Sequence, residues 1–325
     1  MNFIYNLKNF RKRGNELDYL LLAAGFILLI KGADYFVEGS ASVAAKLRVP
    51  PMIIGLTVVA MGTSAPECAV SIAASLKGDN AVAISNVIGS NIFNLALVCG
   101  ICAVFSPLRV KAKTLKKEFP LSVLAAAVLL GTGYLGMEIS RADGLLLLIL
   151  FVSFLIWLVR EAKKARSSQQ EQKEVRNLNG WRCLFYIAGG MGAIVIGGDF
   201  VVDAATAIAE SFGLSDTLIG LTIVAMGTSL PELVTSVVAA RKGEADMALG
   251  NVIGSNLFNI LLVLGLAGAI SPMEVLMENV IDGIILIGMS CIVWIFAWCK
   301  KEISRLEGVA MIVCYAVYMG YICIR

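Results

Sequence analysis

Two short segments of the sequence each place a proline and a glutamate inside an apolar stretch. The first reads GTSAPE and ends at Glu67, and the second reads GTSLPE and ends at Glu232. A charged side chain at the centre of a bilayer costs about 2.5–3.5 kcal/mol on insertion scales, so it is rare there without a partner or a function. The two glutamates are therefore the first candidates for chemistry.

Oxygen-bearing groups surround each glutamate in the sequence. On a helix, Thr63 and Ser64 precede Glu67 by four and three positions, so two hydroxyls and one carboxylate share a face. Pro66 has no amide hydrogen, so we expect the helix to open near residues 60–62 and expose carbonyl oxygens. The second segment repeats the set as Thr228, Ser229, Pro231 and Glu232. These are hard oxygen ligands suited to sodium or calcium, and calcium prefers six to eight of them.

A second polar set follows each glutamate. Asn86, Ser90 and Asn94 are spaced four residues apart, which aligns them on one helical face. The second copy has Asn251, Ser255 and Asn259. Two structural roles compete with ion binding: hydroxyls can bond back to their own helix, and amides can join neighbouring helices. The recurrence of the whole constellation favours an ion site.

The composition requires a lipid environment. Of the 325 residues, 58% are hydrophobic and only 16% are charged, whereas about a quarter are charged in soluble domains. The net charge of +3 gives no indication of a nucleic-acid partner, and the chain has no histidine, the commonest catalytic base and transition-metal ligand. With no nucleophile elbow or phosphate loop, the sequence predicts neither an enzyme nor an organic cofactor.

Ten apolar segments are long enough to cross a bilayer, for which about 20 residues are needed. They lie at about 18–39, 51–76, 80–104, 119–137, 141–160, 183–211, 216–240, 245–270, 280–299 and 305–324. A polar linker from Arg160 to Asn179 divides them into two sets of five. The predicted fold is therefore an all-α integral membrane protein with ten transmembrane helices.

The two halves are copies of one unit. Residues 32–107 align without a gap with residues 197–272 at an offset of 165, and 34 of the 76 positions are identical. Because five spans is an odd number, the second copy must enter the membrane from the opposite side. The predicted division is a first five-helix repeat at 1–160, a cytoplasmic linker at 161–180 and an inverted second repeat at 181–325.

Basic residues predict the orientation. With both termini outside, the cytoplasmic segments contain 19 lysines and arginines and the outer side contains seven, as the positive-inside rule requires. The acids Asp34 and Glu38, which recur as Asp199 and Asp203, then lie near the end of the first span of each repeat. We interpret them as interfacial and expect Lys31 to pair with Asp34.

The two copies of GTSxPE and of GSNxFN resemble the α-repeats of the calcium/cation antiporter superfamily, and the chain is similar to a prokaryotic sodium/calcium exchanger of the cell membrane. The resemblance implies alternating access, in which the first span of each half slides across a fixed core. It also implies a ligand set. In that set Ala60 and Ala225 offer carbonyls, Thr63, Ser64, Thr228 and Ser229 bind sodium, Glu67 and Glu232 are shared by calcium and sodium, Ser90 and Ser255 complete the outer sodium sites, and Asn94 and Asn259 lie centrally.

One departure from the family concerns Asn259, where related exchangers often have an aspartate. With asparagine at 94 and 259, the site has two formal negative charges, which one calcium ion would neutralise. Three sodium ions would leave one positive charge, so the three-for-one exchange that the resemblance implies is electrogenic. Proton/calcium or other cation antiport stays open, because an enclosed carboxylate can bind a proton. A cation channel is disfavoured, since filters usually arise from oligomeric rings.

Overall fold

The computed structural model describes residues 2–78, 80–167, 178–214, 219, 222–223 and 225–324. Within them the chain consists of helices, four strands of two residues each and the short turns that connect them. Eight described helices are long and apolar enough to cross a membrane, and a bent pair makes a ninth. The fold is therefore an all-helical bundle of eight to nine described spans, and the count of ten stays a prediction.

The helices follow the predicted segments closely. They are α1 (Asn2–Leu47), α2 (Pro51–Thr63 and Ala65–Lys77), α3 (Asn80–Phe93, Asn94–Val98 and Cys99–Phe105), a short helix (Ala112–Lys116), α4 (Glu118–Gly136), α5 (Arg141–Ser167), α6 (Gly180–Ser211), α7 (Ala225–Gly227 and Leu230–Arg241), α8 (Ala245–Phe258, Asn259–Val263 and Leu264–Ile270), α9 (Met277–Lys300) and α10 (Arg305–Ile324). Residues 216–218, 220, 221 and 224 of the seventh predicted segment, and 168–177 of the linker, lie outside the described residues.

Helix α2 bends by 50° between its two arms. The bend is at Ser64, which has φ −81° and ψ 8°, two positions later than the predicted opening at 60–62. The Ser64 amide still donates to the Ala60 carbonyl at 2.9 Å. Pro66 occupies the first turn of the second arm, where no amide donor is needed, so the helix breaks before the proline. Ser229 has nearly the same geometry in α7.

Wide π-helical turns interrupt the helices at matched places. They span Gly55–Val59 in α2, Asn94–Val98 in α3 and Asn259–Val263 in α8. The last two begin on asparagines that are 165 residues apart and occupy the same position in the two repeats. Such turns are rare and are frequent at functional sites, and the sequence pattern did not predict them.

The core is built around α3 and α8, which are the most enclosed of the described spans. Helices α1 and α6 each pack one face on this core and pack against each other along glycines. A methyl group on Gly32 would lie 2.8 Å from the Gly190 carbonyl oxygen, and one on Gly25 would lie 2.9 Å from the Gly197 carbonyl oxygen. The two helices therefore form a closely packed pair beside the core.

Two small antiparallel sheets join the halves. Strand β1 (Leu108–Arg109) pairs with β4 (Glu302–Ile303), and β2 (Glu138–Ile139) pairs with β3 (Met273–Glu274). Each sheet takes one strand from the first half of the chain and one from the second. The loops at each end of the bundle are thus fastened across the two repeats.

Gly250→Ala tests the close crossing of α8 over α2. The added methyl would lie 2.7 Å from the Met52 carbonyl oxygen, and such overpacking costs about 1–3 kcal/mol. We expect a lower melting temperature in detergent. The matched control is Gly131→Ala in α4, whose methyl would meet no described atom within 4 Å and should raise stability slightly, because alanine favours helix. Equal melting shifts in the two variants would contradict this packing.

Candidate ion-binding site

The two glutamates lie together at the breaks of α2 and α7, and each is hydrogen-bonded by a serine of the other repeat. Ser64 donates to Glu232 Oε1 at 2.9 Å, and Ser229 donates to Glu67 Oε1 at 2.9 Å. Both glutamates are 0% exposed. The crossed pair brings the two carboxylates to one enclosed place at the junction of the repeats.

Two further hydroxyls approach Glu232. Ser255 donates to Glu232 Oε1 at 3.4 Å, and the oxygens of Ser255 and Thr63 are 3.5 Å apart. Thr63 can donate either to the Val59 carbonyl at 3.2 Å or to Asn251 Oδ1 at 3.1 Å. A hydroxyl has a single hydrogen, so Thr63 can turn it to its own helix and offer its lone pairs to the site.

Asn86 and Asn251 connect helices instead of facing the carboxylate oxygens. Asn86 donates to Ser71 Oγ at 2.9 Å and lies 3.3 Å from the Glu67 carbonyl oxygen. Asn251 makes the same contact with Ser236 Oγ at 2.9 Å. These bonds fix each glutamate-bearing arm to the next helix. The sequence reasoning missed Ser71 and Ser236, although their recurrence at the offset of 165 was a usable signal.

A cluster of four buried amides lies where α3 meets α8. Asn94 Nδ2 donates to Asn256 Oδ1 at 3.2 Å, and Asn259 Nδ2 donates to Asn91 Oδ1 at 3.2 Å. Asn91 and Asn256 were not among the predicted site residues. They hold the third position of the repeated GSNxFN motif, so the repeat itself could have indicated them.

Several buried oxygens near this junction have no hydrogen-bond donor among the described residues. They are Glu67 Oε2, Glu232 Oε2, Ser90 Oγ, Asn94 Oδ1, Thr228 Oγ1 and Asn259 Oδ1. Buried polar atoms are nearly always paired in proteins, so a group of unpaired oxygens marks a place for a positive partner. All six belong to residues that the sequence selected as candidate ligands, whereas four further unpaired buried oxygens of the described residues, those of Ser40, Glu118, Thr206 and Thr235, do not.

The predicted carbonyl ligands are Ala60 and Ala225. The structure gives hydrogen-bond contacts for the Ala60 carbonyl and the helical position of Ala225. The Ala60 carbonyl accepts the Ser64 amide, and Thr63 Oγ1 can also donate to it at 3.4 Å, so its second lone pair is free for another contact when Thr63 donates elsewhere. Ala225 begins the first described turn of α7. Both residues lie on the arm that precedes the break, four positions before the serine that bonds to the opposite glutamate.

The electrostatics of the site favour a bound positive charge, which a metal cation or a proton could supply. The side chains that hydrogen-bond to the glutamate carboxylates in the described residues are neutral hydroxyl groups of serine and threonine. Two ionised carboxylates that are both fully buried repel each other. An uncompensated buried charge is strongly unfavourable. A sodium or calcium ion would supply the charge, and the hydroxyl and amide oxygens would complete its coordination.

Comparison with known proteins identifies the family. The family model described as sodium/calcium exchanger protein matches residues 17–160 and 183–324. The chain belongs to the sodium/calcium exchanger family. It is 44% identical to the putative antiporter CaxA of Alkalimonas amylolytica, with 78% of this chain and 81% of that protein covered. It is 36% identical to the sodium/calcium exchanger MaX1 of Methanosarcina acetivorans, with 93% and 97% covered.

The fold agrees with solved exchanger structures. The sodium-calcium exchanger NCX_Mj soaked with 2.5 mM Na⁺ and 10 mM Sr²⁺ matches with a TM-score of 0.83 and 33% identity, covering 94% of this chain and 99% of that one. The chain is thus a multi-span membrane protein and a prokaryotic calcium/cation antiporter. The predicted antiporter class is confirmed, and the family is one of transporters.

Ser64→Ala and Ser229→Ala test the crossed contacts in this family member. Each removes a hydroxyl that bonds to a carboxylate, a contact worth about 1.5–3 kcal/mol. We expect the Ca²⁺ concentration that half-saturates thermal stabilisation to rise about tenfold or more in each variant. The control is Ser153→Ala, whose exposed hydroxyl bonds to the Ile149 carbonyl of its own helix. A wild-type response in either site variant would argue against these contacts.

Proposed function

We propose that the chain is a secondary antiporter of the cell membrane that exchanges Na⁺ for Ca²⁺ by alternating access. The observation that carries this proposal is the pair of enclosed glutamates, each bonded by a serine of the opposite repeat and each retaining an unpaired oxygen. Relatives printed as sodium/calcium exchangers, and a neighbour soaked with Na⁺ and Sr²⁺, support the choice of ions.

In this proposal the ligands divide between the two ions. Calcium lies between Glu67 and Glu232, whose two charges neutralise it. Sodium ions use the same carboxylates with the hydroxyls and carbonyls of both repeats: Ala60, Thr63, Ser64, Ser90, Ala225, Thr228, Ser229 and Ser255. Asn94 and Asn259 contribute neutral oxygens at the centre. Shared carboxylates make the two occupancies mutually exclusive, which is the requirement for coupled exchange.

The strand pairs support ten crossings and the inverted arrangement. Because β1 and β4 are hydrogen-bonded, the loops that contain them lie on one side of the membrane. Two loops lie on the same side only if an even number of spans separates them. Six predicted spans lie between β1 and β4 if the segment 216–240 crosses the membrane, and five if it does not. The pair β2 and β3 gives the same parity, with four spans between them. Together with the basic-residue count, this parity supports an orientation with both termini outside.

An asymmetry between the repeats supports alternating access. Lys242, at the end of α7, pairs with Asp34 Oδ1 at 2.6 Å and lies 3.9 Å from Glu38 Oε2. Asp34 therefore does not pair with Lys31 as predicted, because Lys242 is within reach across the α1–α7 contact.

The equivalent residues of the other repeat are Lys77, Asp199 and Asp203. All three are exposed, and none forms an ion pair with another within the described residues. Lys242 thus holds α1 by an ion pair at one face of the bundle. Within the described residues, the equivalent ion pair between Lys77 and α6 at the opposite face is not formed. Sliding of the α1–α6 pair would break the ion pair of Lys242 and form the equivalent ion pair of Lys77.

Glu67→Gln and Glu232→Gln test the central assignment. One remaining carboxylate cannot balance a divalent ion in an enclosed site, and breaking a buried charge pair costs about 3–5 kcal/mol. We expect each variant to lose Ca²⁺ uptake in proteoliposomes by about a hundredfold or more. Glu16→Gln, on an exposed position before the first predicted span, is the control. Uptake at the wild-type rate in either site variant would refute the assignment.

Sodium dependence is tested in the same proteoliposomes. ⁴⁵Ca²⁺ uptake should require an outward Na⁺ gradient and should be absent when K⁺ replaces internal Na⁺. It should be indifferent to an imposed pH gradient. Uptake that ignores Na⁺ but follows the pH gradient would establish proton/calcium exchange instead. Currents far above transporter turnover would establish a channel.

Lys242→Ala and Lys77→Ala test the asymmetry as a matched pair. A partly exposed ion pair contributes about 0.2–1 kcal/mol, so losing it should change the balance between the two access states about two- to fivefold. We expect Lys242→Ala to raise the apparent Ca²⁺ affinity at one membrane face and to lower it at the other. Lys77→Ala should shift the affinity at each face in the direction opposite to that caused by Lys242→Ala. Shifts of the same sense in both variants would contradict the exchange of contacts.

A further inference from the structure

A cavity of about 700 Å³ lies at the face of the bundle that is predicted to be cytoplasmic, and none of the ion-site residues lines it. It is bounded by the end of α1, the loop that leads into β1 and the turn between α7 and α8. Small-molecule sites usually have volumes of about 300–1,000 Å³. Alanines, valines and prolines form much of the wall, and three cationic side chains lie among them: Arg48, Arg109 and Lys111. The cavity therefore suits an anion that has an apolar part.

The second repeat shows which features of this wall belong to the shared fold. Apolar positions keep their residue type at the offset of 165, as Ala44 becomes Ala209 and Val110 becomes Val275. The cationic positions do not: Arg48 becomes Gly213, Arg109 becomes Glu274 and Lys111 becomes Leu276. An excess of cations at this face is expected from membrane orientation alone, so the backbone is needed to distinguish a binding residue from an orientation signal.

The backbone at Arg48 makes that distinction. Arg48 has φ +56°, in the left-handed region, and Gly213 has φ +79° at the equivalent helix end. Glycine adopts this conformation without steric cost, whereas an arginine is strained there. The other non-glycine residues with positive φ in the described chain are Met137 and Lys301, and each directly precedes a paired strand. No strand follows Arg48, so we attribute its presence to its side chain.

The ion pairs around the cavity leave two arginines for a ligand. Lys111 Nζ is paired with Asp246 Oδ2 at 2.6 Å. Arg109 Nε lies 3.7 Å from the glutamate opposite it in β4, and its side chain is still 90% exposed. Arg48 forms no ion pair within the described residues. Glu244, the second acid of the wall, takes part in an interaction of its own.

We propose that this cavity binds a phosphate-bearing ligand between Arg48 and Arg109, and that the bound ligand holds the end of α1 against the core. The planar guanidinium group matches the geometry of phosphate and can donate two parallel hydrogen bonds to it. Arg48 directly follows α1, whereas Arg109 belongs to β1, which is paired with β4. A ligand that contacts both arginines therefore joins α1 to a fixed strand pair. The phosphate can come from a lipid headgroup or from a soluble molecule.

Arg48→Gly tests the site without straining the fold, because glycine suits the backbone at this position. The matched control is Lys301→Gly, which removes one positive charge at a second residue with positive φ, +52°, that does not line the cavity. Without phosphate, both variants should melt at or above the wild-type temperature. In Ca²⁺-free detergent solution, the inorganic phosphate concentration that half-saturates thermal stabilisation should rise about tenfold or more in Arg48→Gly. It should be unchanged in Lys301→Gly, with chloride at matched ionic strength as the reference.

Lipid provides the second arm of the experiment. Micelles containing phosphatidylglycerol are compared with micelles containing phosphatidylcholine. Stabilisation by phosphatidylglycerol but not by inorganic phosphate would assign the site to a lipid headgroup, and the reverse would assign it to a soluble phosphate. With the effective probe, hydrogen exchange of the amides of residues 41–48 should slow in the wild type and not in Arg48→Gly. Arg109→Ala should weaken binding in the same way and provides a second variant.

Two results would overturn the proposal. One is a wild type that responds to neither probe, and the other is an equal response in Arg48→Gly and Lys301→Gly, which would indicate only unspecific attraction to a basic surface. Unchanged hydrogen exchange on binding would overturn the restraint of α1. Binding is measured here without transport, so none of these results bears on which ions the protein exchanges.

Discussion

The structure depends on the repulsion between two carboxylates enclosed in one place. Glu67 and Glu232 are fully buried, and the described side-chain hydrogen bonds to them come from neutral hydroxyl groups. The helix that bears each glutamate breaks three residues before it, at Ser64 and at Ser229. Amide and hydroxyl oxygens are turned inward. Such an arrangement is stable only with a compensating positive charge. In the proposed function the protein supplies the oxygens, and the transported ion supplies the positive charge.

Much of this arrangement follows from the sequence. Apolar length indicated the helices, and the repeat at an offset of 165 predicted that the two halves are copies of one unit. The crossed serine–glutamate contacts agree with that expectation. The position of the bend did not follow, because the rule for a proline inside a helix places it near residues 60–62, whereas Pro66 lies in the first turn of a new helix and the bend falls at Ser64.

Other features were beyond the sequence because they depend on contacts between segments far apart in the chain. The π-helical turns at Asn94 and Asn259 widen helices that look regular by periodicity. The pairing of Asp34 with Lys242 joins residues 208 positions apart, while a neighbouring lysine in the sequence suggested a local pair. In the sequence, Asn91 and Asn256 are only members of the repeated GSNxFN motif. Their hydrogen bonds to each other's backbone exist only where the two repeats meet.

The strand pairs also constrain the order in which the protein can be completed. Leu108 finds its partner only at Ile303, and Ile139 only at Met273. During synthesis the first repeat therefore leaves the ribosome before the partner of either short edge has been made. A chain truncated after the linker would lack the partners for both edges, so maturation is a joint event of the two halves.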